Sequence, residues 1–303
     1  MKKLYQSLFL SLISLASYGQ AVPDWKLGTS MNLMQTDLKE TFIAVKNAGI
    51  DYLEVGMPKF SKVNVADIIF QVAKYKECAD ETGLKIWSIH IPYGWDFDIS
   101  TPDPIIREQC KQYVLFTLEI AKGLGKYEKA ILHPSFEPIN KEERIGHIAA
   151  FRECLKELGP LVEKDYNVRI AVENLPRTCL ANSAAETITL VDGIISVDIC
   201  FDVNHLLGEK SEYFAEKLGK MIKTVHISDY DEENERHWLP GEGVINWNAV
   251  VDGLVKGGYD GPFMFEVTKT PWEGDMKKFS KDLVASWKKI QKDYKVYLKK
   301  QNQ

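Results

Sequence analysis

I-C-F-D-V-N-H (Ile199–His205) and V-H-I-S-D-Y-D-E-E-N-E-R-H-W-L-P-G-E-G (Val225–Gly243) are the segments from which the fold of this chain is read. Each opens on a short run rich in β-branched or aromatic residues, the composition of a strand buried on both faces. At or just past the ends of these runs stand Asp202, His205, His226 and His237. Carboxylate and imidazole are the side chains that offer oxygen and nitrogen to a divalent metal.

Outward from these segments the same unit repeats. From Trp25 onward, β-branched runs alternate with amphipathic stretches of helical period, which signals a parallel sheet with crossover helices. The expected strands are Lys26–Ser30, Tyr52–Val55, Lys85–His90, Ala130–His133, Arg169–Glu173, Ser196–Phe201, Thr224–Ile227 and Phe263–Val267. Eight such strands close a (β/α)8 barrel, the TIM barrel, an α/β fold. Helix starts are expected at the caps Thr36, Asn64, Asp103, Asn140, Ser183 and Asn246. The connections Ile91–Pro102, Pro134–Asn140 and Ser228–Asn246 are long, and in a barrel such connections line the active face. No linker or repeat interrupts the alternation, so residues 20–303 are read as one domain.

Composition narrows the partners. The chain has 303 residues, 45% hydrophobic and 27% charged, with a net charge of −5. That balance is ordinary for a globular domain and offers no general basic surface, so nucleic acid is not an expected partner. Lys2 and Lys3 precede an apolar run over Leu8–Ala16, with Ser17 and Gly19 after it, so residues 1–19 read as a signal peptide. Export to the periplasm or medium is therefore expected, without a membrane anchor, because the run is too short to span about 30 Å of hydrocarbon. Five cysteines, widely spaced and odd in number, do not define a disulfide, and self-association into a homo-oligomer is left open.

The strand ends form a constellation. Glu54 lies at the end of the second strand, His90 the third, His133 the fourth, Glu173 the fifth, Asp202 and His205 the sixth, His226 the seventh and Glu266 the eighth. Singly, each is more often a solvated or hydrogen-bonded residue than a ligand. Jointly they converge on one mouth if the barrel closes, and clustered carboxylates repel unless a cation neutralises them. One divalent metal ion (Mn, Mg, Co or Zn) is the expected cofactor.

The strings A-V-E-N-L-P, F-D-V-N-H, V-H-I-S-D, L-P-G-E-G-V-I-N-W and G-Y-D-G-P-F-M-F-E-V resemble the sugar isomerase/epimerase family with the xylose isomerase-like TIM barrel. The resemblance covers nearly the whole chain after the leader. It implies a metal held by Glu173, Asp202, His226 and Glu266, with Glu173 and Glu266 as the catalytic acid/base pair. It also implies substrate contacts from His205 and Arg236. His90, His133, Glu54, His237 and Trp95 are added as substrate-site residues from their places in or beside the loops of the active face. The implied reaction removes a proton beside the carbonyl of a keto sugar or sugar derivative through a metal-stabilised enediolate, giving an epimerase or isomerase.

Three other readings stand beside it. A 3-keto-glycoside lyase or hydratase would share the first proton abstraction and then expel the aglycone; export favours it, since intact glycosides occur outside cells. An enzyme like endonuclease IV would use a larger ligand set, but Glu235-Arg236-His237 stands where that family has Asp-Arg-His, and the Ile91–Pro102 loop is acidic and aromatic where DNA needs lysine and arginine. A sugar-binding protein without turnover would have lost a proton-carrying carboxylate, whereas Glu173 and Glu266 are both present.

Overall fold

A computed structural model describes residues 21–301, and the leader expected over residues 1–19 lies outside the described residues. Strand and helix alternate throughout: β1 (Leu27–Asn32), α1 (Leu38–Ala48), β2 (Tyr52–Gly56), α2 (Val65–Thr82), β3 (Lys85–His90), α3 (Pro104–Ala121), β4 (Lys129–Leu132) and α4 (Arg144–Tyr166) make the first half. The second half is β5 (Arg169–Glu173), α5 (Ala184–Val191), β6 (Val197–Asp202), α6 (Ser211–Leu218), β7 (Ile222–His226), α7 (Trp247–Gly257), β8 (Phe263–Phe265) and α8 (Met276–Gln301). All neighbours pair in parallel in the order β7-β6-β5-β4-β3-β2-β1-β8. Ile227 closes the ring: its N–H donates to Met264 O at 2.8 Å, and its carbonyl accepts from Glu266 N at 3.0 Å. The (β/α)8 TIM barrel is the observed fold.

Helices form where sequence supplies a cap and a one-sided apolar stripe. Asp103 accepts from Ile105 N at 2.8 Å, Pro104 opens the first turn of α3, and Cys110, Val114, Leu118 and Ala121 fall on one buried face. The long α8 buries Phe279, Leu283, Trp287, Ile290, Tyr294 and Leu298 at steps of three or four and leaves its lysines in water. Asn64, Ser183 and Asn246 also cap as expected. Two expected caps do not form. Asp37 in a left-handed conformation precedes α1 without a side-chain cap, displacing Thr36. Asn140 donates to Glu143 Oε2 at 3.0 Å, four residues before α4 begins at Arg144.

Inside the ring the two-residue period of each strand stacks side chains in layers. At the foot, Asp198 binds Lys129 (2.7 Å) and Arg169 (2.9 Å). Above them Ile131, Ala171 and Cys200 form a small apolar plug of their own. Two residues further along β5 and β6 come Glu173 and Asp202, so the alternation that fills the barrel also aims the polar groups at its mouth. All five cysteines are free, and burial pushes the Cys154 and Cys179 thiols up to about 12, where they are inert. No described helix is long and apolar enough to cross a membrane.

Candidate metal centre

Four donors meet at the C-terminal mouth. Glu173 is the last residue of β5, Asp202 of β6 and His226 of β7, while Glu266 follows β8 and is held there by the bond to Ile227. One donor atom from each of the four lies within 4.8 Å of the others. His226 Nδ1 is the focus: Glu173 Oε1 is 3.0 Å away, Glu266 Oε2 3.2 Å and Asp202 Oδ2 3.8 Å. The first three residues are wholly buried, and the Glu266 side chain is 26% exposed, so it alone of the four opens toward solvent.

A cation fits this donor set. Asp202 Oδ1 accepts from Asn204 N at 2.6 Å, but Oδ2 is buried without a hydrogen-bond partner. Such an orphan costs roughly 1–3 kcal/mol, more when charged. Burial and the nearby Glu266 charge push the Asp202 carboxyl well above its usual range, a conflict that a positive ion removes. Glu173 behaves oppositely: burial resists its ionisation, yet His226 and His133 hold it well below the usual range. On the far side of the His226 ring, Nε2 sits 2.9 Å from Glu54 Oε1, off the axis of a hydrogen bond. Glu54 is itself buried against Ser88 Oγ at 2.6 Å. A carboxylate at the second ring nitrogen is the usual support for a metal-binding imidazole.

The other histidines gather on the same carboxylates. His90 Nε2 and His133 Nε2 each lie 3.1 Å from Glu173 Oε2. His90 Nδ1–H donates to Ile91 O at 2.9 Å, so a neutral ring would turn a lone pair toward Glu173. Burial opposes charge on this ring, but Glu173 outweighs it and raises the pKa to about 9. His90, Glu173 and His226 thus form a second, overlapping donor group. His205 Nδ1–H donates to Asn174 O at 2.9 Å, and the residue lines the cavity. His237 stands further out, its Nδ1 3.0 Å from the Glu266 carbonyl and 4.0 Å from Glu266 Oε2.

The pattern that describes xylose isomerase-like TIM barrels matches residues 42–288. The chain belongs to the xylose isomerase-like TIM barrel family. Within it, D-psicose 3-epimerase of Ruminiclostridium cellulolyticum is 25% identical over 77% of this chain and 78% of its own length. Fructoselysine 3-epimerase of Escherichia coli O157:H7 is 29% identical over 55% of this chain and 62% of its own length. An uncharacterized Methanocaldococcus jannaschii protein is 29% identical over 59% of this chain, and the match spans 63% of that relative. The crystal structure of D-psicose 3-epimerase with D-tagatose from Clostridium cellulolyticum H10 superposes with a TM-score of 0.71 at 19% identity, covering 89% of this chain and 99% of that one.

This xylose isomerase-like barrel places two expected substrate residues elsewhere. The Arg236 guanidinium is held by Asp231 at 2.6 Å and leans toward Trp238, and Arg236 does not line the cavity. Trp95 is 60% exposed and packs edge-on against Phe136. The ring inside the mouth is Tyr93, stacked on His133 at 4.7 Å. Several residues of the mouth carry no signal in strand-end reading. Arg177, in a left-handed loop conformation, bonds Glu137 at 2.7 Å and Glu235 at 2.9 Å and so ties three loops over a cavity of about 190 Å³. Asn174 pairs its side-chain amide with the backbone of Asp202, both bonds 2.8 Å. Asn204 Oδ1 accepts from Arg236 N and His237 N. Lys269 lines the mouth beyond Glu266, its pKa lowered by burial.

Proposed function

We propose that this chain is a divalent-metal-dependent sugar isomerase or epimerase acting on a keto sugar or sugar derivative. The observation that carries the reading is the convergence of Glu173, Asp202, His226 and Glu266 on one point, with a buried Asp202 oxygen left unpartnered. Relatives named as sugar 3-epimerases support it. Glu173, Asp202, His226 and Glu266 would hold the ion. Bound there, a divalent ion polarises a carbonyl and makes the neighbouring C–H more acidic.

The residues of the chain then divide the work. Glu173 and Glu266 are both held ionised below the usual carboxylate range, so each can accept a proton. One, ionised, removes the proton from the carbon beside the carbonyl; the other, first protonated from solvent, gives its proton to the opposite face, which inverts that carbon and leaves the pair with its roles exchanged. Return to the adjacent carbon gives the isomerase outcome. His205, with Nδ1 fixed by Asn174, offers Nε2 to a substrate hydroxyl. Tyr93 and His133 form a flat wall for the sugar ring. The apolar run Leu8–Ala16 behind Lys2 and Lys3 is what supports export, and outside the cell the alternative outcome of the same first step, on a 3-keto-glycoside, would be aglycone release.

One experiment separates these outcomes. Metal-loaded protein is incubated with free ketoses and with 3-keto-glycosides in deuterated water. Deuterium uptake without aglycone release is the expected result; release assigns a lyase, and neither event overturns the proposal. Glu266→Gln removes a proton carrier and should lower exchange by about 10²–10⁴-fold, with an unchanged circular dichroism spectrum.

A second reading has one observation in its favour, the His90–Glu173–His226 group that overlaps the first donor set. Two adjacent cations are a device of hydrolytic enzymes. Two equivalents of tightly bound metal together with nicking of abasic DNA would favour that reading.

A further inference from the structure

The mouth holds a second chamber. It measures about 230 Å³ and lies beyond the wall formed by His90, Tyr93 and Glu266, with Ser30, Glu54 and Lys269 among its lining. The first chamber, of about 190 Å³, shares that wall. Small-molecule pockets usually measure roughly 300–1,000 Å³, which neither chamber reaches alone and the two reach together. A ligand that fills the mouth therefore spans both, with Glu266 at the junction.

The chemistry of the second chamber is set by Lys269. Its Nζ donates to Ser30 O at 3.0 Å and lies 5.6 Å from the centre of the Phe279 ring. No carboxylate of the described residues forms an ion pair with it, and an ammonium has three donors to place. Two acids share the lining: Glu54 accepts from Ser88 Oγ through Oε2 and holds Oε1 2.9 Å from His226 Nε2, and Glu266 Oε2 lies 3.2 Å from His226 Nδ1. Lys59 adds a further positive charge 5.4 Å from the Tyr93 ring. In the first chamber the matching cation, Arg177, is consumed by Glu137 and Glu235. A half-buried cation with no ion-pair partner is a receptor for one.

We propose that the second chamber is a subsite for an anionic substituent of the sugar, a carboxylate or a phosphate, bound by Lys269 while the reacting carbons sit at Glu266. This deepens, and rests on, the reading given under Proposed function. The test is calorimetric binding of fructose, fructuronate and fructose 6-phosphate to the full metal-loaded chain, in wild type, Lys269→Met and Lys269→Arg. A charge-assisted hydrogen bond is worth about tenfold or more in affinity. The wild type should bind at least one anionic ketose about tenfold tighter than fructose, and salt should weaken that preference. Whichever anion is preferred identifies carboxylate or phosphate as the source. Lys269→Met should lose the preference and Lys269→Arg should keep most of it. Absence of the preference in wild type overturns the subsite whether or not the variants fold, and so does its survival in a folded Lys269→Met. Deuterium exchange in the same solutions keeps the two ideas apart. Exchange without anion preference leaves the isomerase reading standing and removes the subsite; preference without exchange does the reverse.

Discussion

At the scale of single residues, the mouth depends as much on amides as on acids. Glu173, Asp202, His226 and Glu266 were legible because each ends a strand or directly follows one, and a strand end in a barrel points its last inward side chain at the mouth. Asn174 was not legible as a working residue, since it acts through backbone groups. Its amide donates to Asp202 O and accepts from Asp202 N, and its carbonyl fixes the His205 tautomer. It thereby extends the β5–β6 ladder by one side chain and holds Asp202 where Oδ2 faces His226. Asn174→Ala should weaken metal binding by about 10–100-fold, the usual cost of losing a group that orients a ligand. Titration of the apo protein with manganese, followed by its paramagnetic signal, checks this. Unchanged affinity with an intact fold would show that Asp202 needs no such support. The directions of the Arg236 and Trp95 side chains were not legible for the complementary reason. Neighbours in the chain say where a loop residue is, but its direction is set by partners such as Asp231 and Phe136.

At the scale of elements, every expected strand is present, within a few residues of its expected ends, because β-branched runs bounded by helical periods carry that information locally. The short β8 is the main departure. Past Phe265 it leaves β1, and Glu266 is held by its N–H on Ile227 O and by the His237 ring at its own carbonyl. The foot of β4, β5 and β6 is tied by Asp198, Lys129 and Arg169, a contact between strands that no local pattern announces. Burial resists ionisation of Asp198, but Arg169 and Lys129 prevail and lower its pKa. A carboxylate whose folded pKa is depressed stabilises the fold above its unfolded value of about 3.9 and loses that contribution as pH falls through the folded value. Asp198→Asn should therefore cost about 1–2 kcal/mol at pH 7, where Arg169 is partly solvated and the pair is screened. Near pH 3 the gap between variant and wild type should narrow. Urea midpoints at the two pH values measure it, and a constant gap would mean that Asp198 acts through packing alone.

At the scale of the whole molecule, the donors of the centre and the carboxylate behind His226 come from residues as far apart as Glu54 and Glu266, and the ring brings them together only when Ile227 joins β7 to β8. The centre cannot persist in an unfolded chain, so an ion that binds it binds the native state and raises stability by mass action. The cluster by itself is also strained electrostatically: four carboxylates crowd His226, and Asp202 is pushed toward its protonated form. Metal relieves both effects at once. At an ion concentration a hundredfold above the dissociation constant the gain is about 2.7 kcal/mol, which for a domain of this size is a rise of roughly 5–10 °C in melting temperature. Calorimetric scans in a chelator and after addition of manganese, magnesium, cobalt or zinc should show that rise, and the ion giving the largest shift is the one the donor set prefers. Glu173→Gln together with Asp202→Asn should abolish the shift, because the remaining imidazole and single carboxylate cannot replace four ligands. Should chelator and metal leave the wild-type transition in place, the crowded carboxylates must be neutralised by protons and imidazolium, and the proposed chemistry at this mouth would lose its ion.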